Sequence, residues 1–69
     1  MDFAERLVYA RKRHPHFTEN PEDGLRVILN ELAELSHAIK YERSRRIYDE
    51  ALDVCVKAFR LANGEADAE

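Results

Sequence analysis

The chain has 69 residues, of which 14 are acidic and 11 are Lys or Arg, and its net charge is −3. This length allows at most one domain, and so mild a charge gives no indication of a nucleic-acid or membrane partner. The lone Cys55 excludes an intramolecular disulfide, and no Cys or His cluster has the spacing of a structural zinc site. A domain this small is rarely stable without such cross-links, which leaves self-association or an exceptionally well-packed helical core; of these we expect self-association.

The first predicted helix runs from Phe3 to Arg13. Asp2 is a suitable N-cap for it, because its carboxylate can accept hydrogen bonds from the free amides of the first turn. An apolar stripe at helical spacing consists of Phe3, Leu7 and Ala10. The helix is expected to end at the segment HPHF, because Pro15 lacks an amide hydrogen and disfavours helical geometry in the preceding residue.

The second predicted helix begins in the segment NPED and fades near Glu42. Asn20 is its expected cap, and Pro21 occupies the first helical position, where a missing amide hydrogen costs nothing. Steps of three and four residues relate its apolar positions, a spacing typical of a helix that packs along another helix. These positions are Leu25, Ile28, Leu32, Leu35 and Ile39.

The third predicted helix runs from Ile47, or slightly earlier, to Ala62, and Asn63-Gly64 provides its C-terminal stop. It carries two apolar stripes, one of Tyr48, Leu52, Cys55 and Phe59 and one of Ile47, Val54, Ala58 and Leu61. Together the stripes cover more than half of the helix circumference, so we expect a second subunit to cover one of them and Cys55 to lie in a core. The predicted domain spans residues 1–64, and residues 65–69 are predicted to form a frayed acidic tail.

The fold class is therefore predicted to be all-α. We expect three helices, of which the second and third form an antiparallel hairpin, and completion of a four-helix-type bundle by homo-oligomerisation. A homodimer and a homotetramer both fit the pattern. No apolar run approaches the ~18 residues of a membrane-spanning helix, and no signal-peptide pattern follows Met1. We therefore expect a cytoplasmic protein.

Two pairs of acidic residues stand three positions apart within the second and third helices: Glu31 with Glu34, and Glu50 with Asp53. Each pair lies on adjacent turns of one helix face, so its oxygens could converge on one ion. Oxygen ligands without His or Cys suit Mg²⁺, or Mn²⁺ in its place. Chance alone gives roughly three such acidic pairs in this composition. A solvated face, with Arg46, Lys57 and Arg60 as local counter-charges, therefore remains the alternative interpretation.

The arrangement Glu31-Leu-Ala-Glu34, then 15 residues, then Glu50-Ala-Leu-Asp53 resembles the ExxE–ExxD signature of the MazG-like nucleotide pyrophosphohydrolases. This all-α family is related to the dimeric dUTPases and to phosphoribosyl-ATP pyrophosphatase. The resemblance extends over residues 25–65, through the segments VILNELAELSHAI and YDEALDVCVKAFRLANGE. The chain departs from the family pattern at Asn30, where many members have another glutamate, and at Ala33, where glycine is common.

The resemblance implies a Mg²⁺-dependent hydrolase that converts a nucleoside triphosphate into a nucleoside monophosphate and pyrophosphate. It implies that Glu31, Glu34, Glu50 and Asp53 bind the metal and that one glutamate could act as general base. Lys57, one turn beyond Asp53, is a candidate phosphate ligand.

Other interpretations of the sequence remain open. Lys40, with Arg43, Arg45 and Arg46, could bind phosphate at the turn between the second and third helices. Alternatively, this turn could be a solubilising segment paired with Glu42 and Asp49. The whole chain could be a non-catalytic MazG-like module that binds a partner protein through its apolar face. Binding of nucleic acid by the KYERSRR segment is disfavoured, because the chain is acidic and lacks a recognisable binding motif.

Overall fold

The computed structural model describes residues 1–66, which form three α-helices and no β-strand. The helices are α1 (Phe3–Arg13), α2 (Pro21–Tyr41) and α3 (Ser44–Ala62). The prediction of an all-α chain with three helices is therefore confirmed. The third helix begins at Ser44, within the range that the sequence left open.

Side-chain caps explain where the first two helices begin. The Asp2 carboxylate accepts a hydrogen bond from the Glu5 amide, and the Glu5 carboxylate accepts one from the Asp2 amide, each at 2.9 Å. The Asn20 side chain accepts from the Asp23 amide at 2.9 Å, and Pro21 follows the cap. These contacts satisfy amides that have no partner within the helix. No side-chain cap precedes α3.

Helices α2 and α3 form a close antiparallel hairpin. Gly24 near the start of α2 lies beside Leu61 near the end of α3, and Lys57 lies beside Glu31 further along. A Cβ atom on Gly24 would lie 3.0 Å from Leu61 Cδ1, closer than ordinary van der Waals contact. The glycine therefore permits the close approach of the two helices at this end.

Helix α1 packs on α3 and has no Cα atom within 8 Å of α2. The Phe3 and Phe59 rings meet edge to face with their centroids 5.6 Å apart, and Leu7 is buried. The Tyr48 hydroxyl donates a hydrogen bond to the Met1 carbonyl at 3.1 Å. Because α1 and α2 lie apart, one cleft opens between them and α3, and a second opens between α1 and α3.

The segment after α3 turns back onto the helices. Gly64 has φ 78°, a conformation that glycine adopts without a steric penalty. The Glu65 carboxylate accepts a hydrogen bond from Arg60 Nε at 2.6 Å and also pairs with Arg11, while Ala66 is fully buried. The prediction of fraying is therefore wrong for Glu65 and Ala66. Residues 67–69 of the predicted tail lie outside the described residues, and the domain boundary at residue 64 stays a prediction.

The predicted apolar seam of α2 divides into two faces. Ile28 and Leu35 are half-buried against α3, but Leu25, Leu32 and Ile39 are 51%, 43% and 60% exposed. Within the single chain these positions do not form one packed seam, because Glu31 and Ala38 occupy the inward positions instead. Cys55 is exposed, so the prediction that it lies in the core is wrong.

Four large exposed apolar residues form one stripe along α2. At about 100° per residue, this stripe lies on the flank of α2 opposite to Val27, which lines a cleft beside α1. We call this stripe the apolar face; it consists of Leu25, Leu29, Leu32 and Ile39. None of the three helices in residues 1–66 combines the length and apolar character needed to cross a membrane.

Candidate metal centre

Three of the four predicted carboxylates meet between α2 and α3. Glu31 on α2 and Glu50 and Asp53 on α3 each contribute one oxygen to a group in which all oxygens lie within 4.8 Å of one another. The antiparallel packing of the hairpin places Glu31 opposite the adjacent turns that carry Glu50 and Asp53. We call these three residues the carboxylate cluster.

The cluster is largely removed from water. Glu50 is only 4% exposed, and Glu31 Oε2 is buried and has no hydrogen-bond partner within residues 1–66. Burial raises the pKa of the Glu31 carboxyl, while the charge of Lys57 lowers it. Burial also raises the pKa of Glu50, and the nearby Glu34 charge adds to this effect. Ionisation of the Glu31 and Glu50 carboxyl groups is therefore less favourable in this site than in water.

Each carboxylate of the cluster has one basic counter-ion. Lys57 Nζ lies 3.6 Å from Glu31 Oε1, and an Arg46 nitrogen donates to Glu50 Oε2 at 2.6 Å. Arg6 of α1 donates to the two Asp53 oxygens at 2.7 Å and 3.4 Å, and this hydrogen bonding raises the pKa of Arg6. Repulsion among the carboxylates is therefore offset by cations from α1 and α3.

The donor set fits a hard divalent cation. Oxygen ligands around one Mg²⁺ are separated by about 3–4 Å, so small side-chain rotations would bring the cluster to that spacing. Glu31 Oε2 is buried and accepts no hydrogen bond from residues 1–66. A buried acceptor without a partner lowers the stability of the folded protein. A cation there would satisfy this oxygen. Asp53 would join as a ligand through the lone pairs that Arg6 leaves free, in competition with the hydrogen bonds from Arg6 to both of its oxygens.

The other predicted site residues are placed differently. Glu34 is exposed and outside the 4.8 Å group, although its charge contributes to the raised pKa of both Glu31 and Glu50. Lys57 lies at the cluster, as its pairing with Glu31 shows. Lys40 is exposed near the end of α2 and lines neither of the two clefts described below.

The basic turn between α2 and α3 is engaged in ion pairs. Arg46 Nε lies 3.0 Å from Glu42, and Arg45 Nε lies 3.9 Å from Asp49. These pairs match the interpretation of the turn as a paired, solubilising segment.

Two adjoining clefts lie beside the cluster on the α1 side. The first, which we call the cationic cleft, has a volume of about 330 Å³ and is lined by Arg6, Tyr9, Ala10, Arg13, His14, Asp53 and Lys57. The second, the apolar cleft, has a volume of about 300 Å³ and is lined by Ala10, His14, Phe17, Val27, Glu31, Val56, Lys57 and Arg60. Each cleft therefore contains one carboxylate of the cluster, and Lys57 borders both.

The sequence did not identify Arg6 and Arg13 as site residues. Their signal is positional: Arg6 and Arg13 follow the helical spacing of the α1 face that carries Phe3 and Ala10, so charged groups project from the packed side of the helix. That Arg6 reaches Asp53 depends on packing between segments 47 positions apart, which no local pattern specifies.

No family model, curated protein or solved structure matches this chain in the comparisons with known proteins. The resemblance to the MazG-like enzymes therefore stays a prediction that depends on the acidic spacing.

Proposed function

We propose that the protein is a Mg²⁺-dependent nucleoside triphosphate pyrophosphohydrolase of the MazG-like type. The observation that carries the proposal is the carboxylate cluster, in which Glu31 retains a buried oxygen without a hydrogen-bond partner in residues 1–66. Buried acidic groups of this kind are expensive unless a cation compensates them. The ExxE–ExxD resemblance supports the choice of reaction.

Glu31, Glu50 and Asp53 would hold the ion, and Glu34 would complete the four-carboxylate set on the exposed side. Mg²⁺, or Mn²⁺ in its place, supplies phosphate charge neutralisation and a bound water of lowered pKa. The chain supplies positioning: α2 and α3 fix the carboxylates, and Lys57 places a positive charge between the two clefts. Hydrolysis of a triphosphate needs mainly such positioning and charge stabilisation.

Pyrophosphate release from a panel of ribo- and deoxynucleoside triphosphates with Mg²⁺ tests this function. We expect equal amounts of monophosphate and pyrophosphate from at least one nucleotide, and loss of that activity in Asp53→Asn. Glu22→Gln is the matched control, since Glu22 is an exposed acidic residue of α2 outside the cluster. Absence of pyrophosphate with every nucleotide at high protein concentration would refute the function.

We further propose that the protein is a homo-oligomer joined through the apolar face. The face presents four large aliphatic side chains on one helix, whereas single exposed apolar residues are ordinary. Two hairpins packed through this face would form a four-helix bundle, and the clefts beside α1 would remain open on its outer sides. Burial of the face would supply the apolar contacts that the small monomer core lacks.

Sedimentation of a Leu29→Glu variant tests the oligomer. We expect the wild type to sediment as a dimer or tetramer and Leu29→Glu to shift toward the monomer. Val8→Glu is the control, because Val8 is 56% exposed, against 53% for Leu29, and lies on α1 outside the face. An unchanged mass for Leu29→Glu would refute the proposed interface.

The second candidate function is a non-catalytic module that binds a partner protein through the apolar face. The observation that favours it is the pairing of every cluster carboxylate with a basic residue, which lets the cluster exist without a metal. This alternative predicts no pyrophosphate release, no stabilisation by Mg²⁺, and partner binding that Glu50→Gln leaves unchanged.

A further inference from the structure

The cationic cleft has an excess of positive charge beside the carboxylate cluster. Arg6, Arg13 and Lys57 line it, against the single carboxylate of Asp53. Arg6 is engaged by Asp53, and Lys57 lies 3.6 Å from Glu31, so both are partly neutralised. The remaining positive charge of the cleft belongs to Arg13.

Arg13 is held in place by a neutral partner. One guanidinium nitrogen donates to the Tyr9 hydroxyl at 2.9 Å, and the guanidinium carbon lies 5.7 Å from the Tyr9 ring centroid. Within residues 1–66, no carboxylate forms an ion pair with Arg13. Its charge is therefore both oriented and available to an anion. A planar guanidinium can bind two phosphate oxygens at once.

We propose that Arg6, Arg13 and Lys57 form a binding site for a linear polyphosphate chain, which α1 presents to the carboxylate cluster. The choice of polyphosphate as the ligand rests on the proposed function, whereas the attraction for a multivalent anion follows from the charges of the cleft. Three cations arranged around one groove match successive phosphate groups better than a single carboxylate or sulfate. The adjoining apolar cleft, with Phe17, Val27 and Val56, leaves room for an organic group attached to the chain.

Arg6 links this site to the cluster. It donates to both Asp53 oxygens, so a divalent cation that takes Asp53 as a ligand would weaken these hydrogen bonds and favour a turn of the guanidinium toward the cleft. Metal binding and anion binding are then expected to reinforce each other. The wild type should bind the polyphosphate more tightly with Mg²⁺ than in EDTA. This gain in affinity should be larger than the gain that Mg²⁺ produces in a Glu31→Gln variant.

Calorimetric titration of the full chain with inorganic tripolyphosphate in EDTA at low ionic strength tests the site. We expect Arg13→Gln to weaken binding about tenfold, the equivalent of ~1.4 kcal/mol. Lys12→Gln is the matched control, because it removes the same charge from the neighbouring exposed residue, which lines neither cleft. We expect Lys12→Gln to change the affinity less than twofold.

Tyr9→Phe distinguishes binding by an oriented Arg13 guanidinium from a general electrostatic attraction of the anion to the cleft. It removes the hydroxyl that orients Arg13 and leaves every charge in place, and we expect a twofold to threefold loss of affinity. Far-UV circular dichroism of each variant verifies that the helices form. Equal losses in Arg13→Gln and Lys12→Gln, or no measurable binding by the wild type, would overturn the site.

A nucleoside triphosphate is the second titrant and identifies the source of the phosphate chain. If the nucleotide binds more tightly than tripolyphosphate, and Arg13→Gln weakens both by the same factor, the result supports the site with a phosphate chain esterified to a nucleoside as its ligand. Equal affinities with the same loss support it for the inorganic chain. If Arg13→Gln weakens binding but no nucleotide is hydrolysed, this site stands and the proposed hydrolase fails. If nucleotides are hydrolysed while Arg13→Gln changes neither affinity nor KM, the site fails and the hydrolase stands.

Discussion

Replacement of Glu31 by glutamine is expected to make the metal-free protein more stable. Glu31 shares a group of oxygens within 4.8 Å with Glu50 and Asp53. At an effective dielectric constant of 20, each of these two repulsions is worth about 3.5 kcal/mol. The attraction to Lys57, at 3.6 Å, is worth about 4.6 kcal/mol on the same scale. Removal of the two repulsions and the one attraction would stabilise the metal-free variant by roughly 2 kcal/mol, and solvent screening reduces this gain to about 1 kcal/mol.

Thermal unfolding of Glu31→Gln and wild type at neutral pH measures this difference. One kcal/mol corresponds to a Tm increase of about 4–8 °C in a domain of this size. Addition of Mg²⁺ should reverse the order, because a ligand at 100 times its Kd stabilises the wild type by about 2.7 kcal/mol and the variant loses a ligand. Glu22→Gln serves as the control with an unchanged Mg²⁺ response. A metal-free Glu31→Gln that melts lower than wild type, with its Mg²⁺ response intact, would refute the reasoning.

The advantage of Glu31→Gln should depend on pH with a definite sign. Burial raises the pKa of Glu31 in the folded state above its ordinary value of 4.5. The folded protein therefore binds this proton more tightly than the unfolded chain, and that stabilisation is lost as the pH rises through the folded-state pKa. The two proteins should differ least below pH 4.5 and most near neutrality. A constant difference at all pH values would contradict the electrostatic explanation.

Three further changes test the packing and the counter-ions. Arg60→Gln should lower the free energy of unfolding by about 3 kcal/mol in a urea titration, because the buried Arg60 binds Glu65 and two loop carbonyls; a loss below about 1 kcal/mol would contradict its structural role. Hydrogen bonds from Arg11 and Arg60 lower the pKa of Glu65 from 4.5 to about 2, so its contribution is present above pH 4.5 and lost as the pH falls toward 2. Glu65→Gln should flatten this part of the acid-unfolding curve, and an unchanged curve would show that the pairs do not stabilise the fold. Arg6→Gln frees both Asp53 oxygens, so it should increase the Mg²⁺-induced Tm shift at limiting Mg²⁺. A smaller shift would contradict competition between Arg6 and the metal for Asp53.

Local sequence signals were sufficient to place the helices. The caps Asp2 and Asn20, the breaker Pro15 and the stop at Asn63-Gly64 act through contacts within a few residues, and each helix begins or ends where these signals predicted. The hairpin followed as well, because a short connector forces adjacent helices to pack against each other. The convergence of Glu31 with Glu50 and Asp53 needs this antiparallel pairing and also the rotation of α2 that turns Glu31 inward.

Other features depend on packing that no local pattern determines. The apolar residues of α2 allow two seams, and the inward one was selected by the close approach at Gly24, which turned Leu25 and Leu32 outward. Cys55 is exposed because α3 turns other positions toward α1 and α2. The arginine of α1 that neutralises Asp53 is distant in sequence, so only the docking of α1 on α3 reveals it.

Manganese titration of the isotope-labelled protein, observed by NMR, tests most directly whether the carboxylates of α2 and α3 hold a divalent ion. A bound Mn²⁺ broadens the signals of nearby amides. We predict broadening at substoichiometric Mn²⁺ that is centred on Glu31, Glu50 and Asp53, that Mg²⁺ reverses, and that spares the acidic first turn of α2 at Glu22. Weak broadening spread evenly over the exposed acidic residues, with no early loss at these three positions, would contradict the account.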